Sequence, residues 1–215
     1  MTTGLIILFG LTMLYLASTS RIIAHIRILI VQGVLLFLIC ACAGEYGSLF
    51  NLAFLAAETL IVKSIAIPWF LCRVLRQTHS NRDAGANIPH SYCLVISSII
   101  LLAGFLISNY LTSVKMIAPI YFGVSAATII ISLWLITVKH KVLSNVIEFI
   151  TMENGIFLLS LSVAKGMPML VNMGLLLDLF IAVYILGLFV NEINKEFNGL
   201  EVSNLSDLKD YENND

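Results

Sequence analysis

Long apolar runs, each near twenty residues and following one another almost without pause, constrain this chain more than any other feature. A helix crossing the hydrocarbon of a bilayer needs about 20 mostly apolar residues. Such runs fall at roughly 2–19, 22–43, 48–74, 92–111, 117–138, 142–164 and 168–191. Backbone amides find no partners in hydrocarbon, so helices that satisfy themselves internally are the expected structure. A membrane β-barrel requires alternating strands, and runs such as Ala126–Leu135 do not alternate. Charge supports the same conclusion. Only 12% of the 215 residues are charged and 59% are hydrophobic, whereas a soluble domain carries about 25% charged residues. The expected fold class is therefore an all-α integral membrane protein with about seven transmembrane helices.

Basic residues collect in alternate connections. Arg21 and Arg27 flank the first, Arg73, Arg76 and Arg82 mark the third, and Lys139 and Lys141 mark the fifth. The opposite side has Lys115 and Lys165. The positive-inside rule then places the N-terminus outside and the C-terminus in the cytoplasm. Met1–Gly4 lacks the basic region of a signal peptide. The end of the chain, from Asn191 to Asp215, is acidic and polar and reads as a solvated cytoplasmic tail or a docking segment for a basic partner. Cys40, Cys42, Cys72 and Cys93 lie in or beside apolar runs without metal-ligand spacing, and read as packing residues. No cofactor or metal ligand set is expected. His25 and His140 lie near the cytoplasmic edge and carry no functional assignment.

The informative residues are the polar ones inside the runs. At 1.5 Å per residue, Glu58, Glu153 and Asp178 each lie roughly 15–17 Å into their helices, near the bilayer midplane. Lys63 follows Glu58 by five residues, and Glu148 precedes Glu153 by five, about 140° around its helix. Glu148 therefore points to a second interface or towards the cytoplasmic mouth. Each ionised residue at the midplane costs roughly 3 kcal/mol unless paired, neutral or wetted. A buried Glu with its pKa raised towards neutrality can take up and release protons, which is the chemistry of a relay. Two bland alternatives remain: a static Glu58–Lys63 ion pair, and protonated carboxylates acting as glue between helices. Pro68 frees the carbonyl of Ser64, and a kink is expected there.

A shift of about 121 residues lays the first three helices over the last three. Gln32-Gly33-Val34-Leu35-Leu36-Phe37-Leu38 then falls over Glu153-Asn154-Gly155-Ile156-Phe157-Leu158-Leu159, and Glu58 lands within one residue of Asp178. An offset of four helices preserves orientation, so these are parallel repeats. The expected organisation is a three-helix unit at 1–76, a polar loop and linking helix at 77–113, a second unit at 114–193 and a tail at 194–215. In the first unit Gln32 stands where the second has an acid, and an amide can hydrogen-bond but not titrate.

A three-helix unit with one Glu on its second helix and one acid on its third resembles the K subunit of bacterial complex I. It also resembles the C subunit of Mrp-type antiporters. With two such units around an extra helix, the chain resembles the hydrogenase-4 component E family. The segment Thr151-Met152-Glu153-Asn154-Gly155-Ile156-Phe157 and the later Gly174-Leu175-Leu176-Leu177-Asp178 carry that resemblance best, with Ala57-Glu58 and Lys63. It implies a non-catalytic subunit of a membrane-bound hydrogenase, of the kind found in formate hydrogenlyase assemblies, in the inner membrane. Glu153, Asp178 and Glu58 would occupy the positions of proton-path carboxylates, and Gln32 departs from the complex I pattern. The implied partners are antiporter-like and complex I-like membrane subunits and a cytoplasmic hydrogenase module. The rival readings are a stand-alone transporter coupling at Glu58 and Asp178, and a structural scaffold.

Overall fold

In the computed structural model, the described residues are 2–43, 59–78, 89–110, 119–139 and 141–163, with Met173, Gly174, Phe180, Val183, Tyr184 and Gly187 beyond them. All elements named below are helical: α1 Thr2–Ser18, α2 Ile22–Ala43, the π-helix π1 Thr59–Ala66, α3 Ile67–Thr78, α4 His90–Tyr110, α5 Pro119–Val138 and α6 Val142–Val163. Four of them, α2, α4, α5 and α6, are long and apolar enough to cross a membrane, and α1 is a shorter apolar helix. This is the helix inventory of a multi-pass membrane protein. The expected seventh helix at 168–191 falls mostly outside the described residues, although the six positions beyond 163 are helical.

Local chemistry explains the helix ends. Pro119 opens α5 at the first helical position, where a missing N–H leaves no bond unmade. Pro89 precedes α4, and its carbonyl accepts from the Tyr92 amide at 2.9 Å. Hydroxyls inside the bundle are satisfied by their own helices: Thr128 donates to the Val124 carbonyl at 2.8 Å and Thr151 to that of Ile147 at 3.0 Å. Serine and threonine can thereby sit in an apolar bundle without an orphaned donor.

The expected third helix, 48–74, is described from Thr59 and runs on to Thr78. Its first part is π-helical, and the change to α-helix falls at Ile67, beside Pro68. Proline cannot donate to the preceding turn, so the chain before it is freed from the α register. The wider π turn is what accommodates it, and such turns concentrate at functional sites.

Helix α1 packs against α2, α4 and α5; α2 packs against π1, α3 and α6; α5 lies between α4 and α6. Three apolar clusters hold this arrangement. One joins Ile22, Ile26 and Leu29 of α2 to Leu71 of α3 and Ile147 of α6. A second joins Ile6 and Phe9 of α1 to Leu36, Val124 and Phe157. The third joins Met13 and Leu16 to Cys93, Leu101, Ile131 and Leu135.

The α4–α5 crossing depends on two glycines. A Cβ at Gly104 would lie 2.5 Å from the Gly123 carbonyl oxygen and 2.9 Å from the Ala127 Cβ; a Cβ at Gly123 would meet the Gly104 carbonyl and lie 2.9 Å from the Ser108 Cβ. Small residues at such a crossing let backbones approach closely enough for dispersion to hold helices together in lipid. Gly104→Val should force the pair apart and destabilise the bundle by about 1–3 kcal/mol, the usual penalty of overpacking. A thermal melt in detergent reads this, and an unchanged midpoint would show that the helices do not cross at these glycines.

Candidate functional site: a polar seam between α2, α5 and α6

Among the described residues, most buried polar side chains are carried by α2, π1, α5 and α6 or stand just past α5, and those that contact one another across helices form two layers. The lower layer is at the end of the bundle that carries the exposed Arg21. There Lys139, one residue past α5, turns inward and forms a buried ion pair with Glu148 of α6. The Lys139 side chain is 5% exposed and that of Glu148 is fully buried. His25 of α2, also fully buried, completes the group: Lys139 Nζ lies 3.4 Å from its Nδ1 and 3.5 Å from its Nε2. The imidazole Nε2 is 3.0 Å from the Thr19 carbonyl oxygen. Three elements thus contribute one cation, one anion and one imidazole to a single apolar site.

The upper layer is about two helical turns away, seven residues along α2 from His25 to Gln32, or roughly 10 Å. Gln32 donates from Nε2 to Thr12 Oγ1 at 2.9 Å and lies 3.3 Å from the Met13 sulfur. Its Oε1 accepts from Asn154 Nδ2 at 3.3 Å. Gly33 brings π1 against α2 at the same height, since a Cβ there would lie 3.1 Å from the Ser64 Cβ. Lys63, the residue before Ser64, is 3% exposed, and its ammonium lies 4.8 Å from the ring centroid of Phe157 on α6. That distance is a cation–π contact in a desolvated place, where such contacts are strongest. Glu153, beside Asn154, is 2% exposed.

One helical stripe connects the layers. Along α5 and the residue after it, Thr128, Ser132 and Lys139 follow at spacings of four and seven, which keeps them on one side. That face meets α6 at both ends, through Thr128 against Gly155 and through Lys139 on Glu148. Ser132 lies between these contacts, fully buried, and its hydroxyl has no hydrogen-bond partner among the described residues. Asn154 Oδ1 is in the same position. Sites with several such atoms are where buried water is held.

Of the six residues expected from sequence to form an ion path, the structure brings Gln32, Lys63 and Glu153 into the upper layer and Glu148 into the lower. Glu58 and Asp178 lie outside the described residues, and so does any Glu58–Lys63 pairing. Glu148 pairs with Lys139 at the end of the bundle that carries Arg21. Sequence reasoning missed His25, Lys139 and Asn154. Lys139 was read as a loop residue contributing only to orientation; it is buried because the short connection to α6 folds its side chain back onto Glu148. His25 had a usable signal, since it precedes Gln32 by seven residues and so shares its face.

Breaking the lower pair should be costly. Lys139→Met leaves the Glu148 carboxylate buried without its cation, a change worth about 3–5 kcal/mol where one partner of a buried pair is removed. Adding Glu148→Leu should recover most of that loss, because two apolar residues make no demand for solvation. Thermal midpoints of the two variants in detergent check this, and a double variant as unstable as the single one would contradict it.

The chain is 24% identical over 189 residues to the uncharacterised protein Rv0085 of Mycobacterium tuberculosis, covering 87% of this chain and 86% of that protein. It is 26% identical over 165 residues to hydrogenase-4 component E of Escherichia coli K12, covering 72% of this chain and 76% of that one. The Shigella flexneri protein of the same name matches to the same extent. No protein-family profile matches the chain, and no solved structure does. The chain therefore has a distant similarity to hydrogenase-4 component E across most of its length.

Proposed function

We propose that this chain is a non-catalytic, ion-translocating membrane subunit of a membrane-bound hydrogenase or a related complex I-like redox pump. The observation that carries the proposal is the seam itself: Glu148, Glu153, Lys63 and Lys139 all lie buried between apolar helices. Ionisable groups in such a place are expensive and mark ion pathways. The distant similarity to hydrogenase-4 component E supplies the kind of complex. In this reading Glu153, Glu148 and Lys63 exchange protons along the seam, Gln32 and Asn154 orient water between them, and Glu58 and Asp178 extend the path. The ion is H⁺ in the first instance, with Na⁺ as the alternative that the same carboxylates would serve.

The proposed architecture has seven helices in two parallel three-helix units, with α4 between them. Packing of α1 on α5 and of α2 on α6 supports it, because these are the helices that the internal repeat makes equivalent. The basic end faces the cytoplasm, the N-terminus lies outside, and the protein resides in the inner membrane. Antiporter-like and complex I-like membrane subunits are the proposed neighbours, with the redox centres in a cytoplasmic hydrogenase module. Exposed apolar side chains along α4, such as Val95, Ile99, Leu102 and Leu106, offer surface to lipid or to such neighbours. A scaffold role is the second reading, favoured by the direct pairing of Lys139 with Glu148, which can hold α5 and α6 together without moving an ion.

Affinity purification of the tagged chain in mild detergent, followed by mass spectrometry, tests the assignment. Recovery of a hydrogenase catalytic subunit with antiporter-like membrane subunits is the expected result. Purification of the chain alone would overturn the subunit reading in favour of a stand-alone carrier.

A further inference from the structure

The outer face of π1 and α3 forms one wall of an apolar groove that has no part in the seam. Val62 and Ala66 of π1 and Trp69 of α3 line one side, and Phe180 and Val183 line the other. Phe70 lies where the two walls meet, since a Cβ on Gly187 would stand 3.4 Å from its Cζ. Two adjoining cavities, of about 270 and 310 Å³, share Phe70, Phe180 and Val183. The groove opens outward: Trp69 is 64% exposed and Phe180 is 73% exposed. From Val62 to Arg73 the chain rises roughly 15 Å, half the thickness of a bilayer's hydrocarbon.

One end of the groove is positively charged. Arg73 and Arg76 follow Trp69 by four and seven residues, which sets all three on one face of α3. Both arginines are exposed. The Arg73 guanidinium lies 6.0 Å from the centroid of the Trp69 ring, so the cation stands beside the groove wall. Leu71, Val74 and Leu75 of α3 join the cluster that holds Ile22 and Ile26 of α2. That packing puts the two arginines at the end of the bundle that carries Arg21. The carboxylates among the described residues are Glu148 and Glu153, both buried, and neither arginine has an ion-pair partner among those residues. We infer that the groove binds an anionic phospholipid, with an acyl chain along Val62, Ala66 and Trp69 and the phosphate on Arg73 and Arg76. The guanidinium fork matches a pair of phosphate oxygens. An indole beside it sits where amphipathic rings gather, at the headgroup level. A protein helix would cover the same apolar wall, yet it would neutralise the cations only if it carried an acid at that height. A phospholipid brings the chain and the anion together. The site requires that the chain lie in a bilayer, and not that ions move through the seam.

The test uses the full chain in phosphatidylcholine bilayers. The chain has two tryptophans, so Trp134→Phe leaves Trp69 as the sole indole. Bromine on the acyl chains of an added lipid quenches indole fluorescence at contact distance. Dibrominated phosphatidylglycerol should quench Trp69 at a lower mole fraction than dibrominated phosphatidylcholine. The preference should fall roughly fivefold in Arg73→Gln, and by a similar factor again when Arg76→Gln is added, as expected for each basic residue lost at a membrane surface. Half-buried Trp134, observed alone in the Trp69→Phe chain, should show no such preference. Equal quenching of Trp69 by the two lipids, with both arginines present, would overturn the site without any arginine variant having to fold. So would a preference that survives the double arginine variant, or one that Trp134 shares. Absence of quenching by either lipid would show the groove covered by protein, and would overturn it as well. No partner subunit or ion flux enters these readouts, so failure here is distinct from failure of the subunit assignment.

Discussion

Charge buried in a medium that cannot solvate it is the constraint on which the rest of this structure depends. Lys139 and Glu148 are separated by nine residues and a tight connection, and neither could remain ionised inside the bundle without the other. Their pairing fixes how α6 returns against α5. It also brings both helices against α2, because the imidazole of His25 packs on the same ammonium. The upper layer uses weaker contacts: Asn154 donates to Gln32, Gln32 donates to Thr12, and the Lys63 ammonium lies over the ring of Phe157. Three apolar clusters pack among the same helices that carry the seam.

The apolar helices were legible in the sequence because a bilayer imposes a length and a composition that few soluble segments share. The bounds of α2 agree with expectation, and those of α1, α4, α5 and α6 agree within two residues. The departure from regular helix at Pro68 was legible for a similar reason, since proline removes a donor wherever it stands. The π register before it was not, because a kink, a π turn and a simple break all relieve the same lost bond. Lys63 was readable as an intramembrane cation, yet its contact with Phe157 comes from two distant segments and has no local signature.

Lys139 shows why the lower layer escaped notice. Hydropathy ends α5 at Val138, and a lysine immediately after an apolar run ordinarily faces water. Whether it turns inward depends on an acid nine residues later and on a histidine from another helix. Glu148 was singled out as lying about 140° from Glu153, which is a correct consequence of helical geometry. That angle left its direction open until α2 and α5 were in place. The expected internal repeat, offset by about 121 residues, remains a reading of the sequence; in the structure Asn154 donates to Gln32, 122 positions before it.

The central claim is that this seam moves ions when redox chemistry occurs elsewhere in a complex. The most direct measurement is the number of protons translocated per electron pair by inverted membrane vesicles containing the assembled complex. Native protein and Glu153→Gln would be compared at equal rates of electron transfer and equal assembly. The account predicts a lower ratio in the variant while electron transfer continues. An unchanged ratio would contradict it, and would leave the buried Lys63, Lys139, Glu148 and Glu153 with a structural role alone.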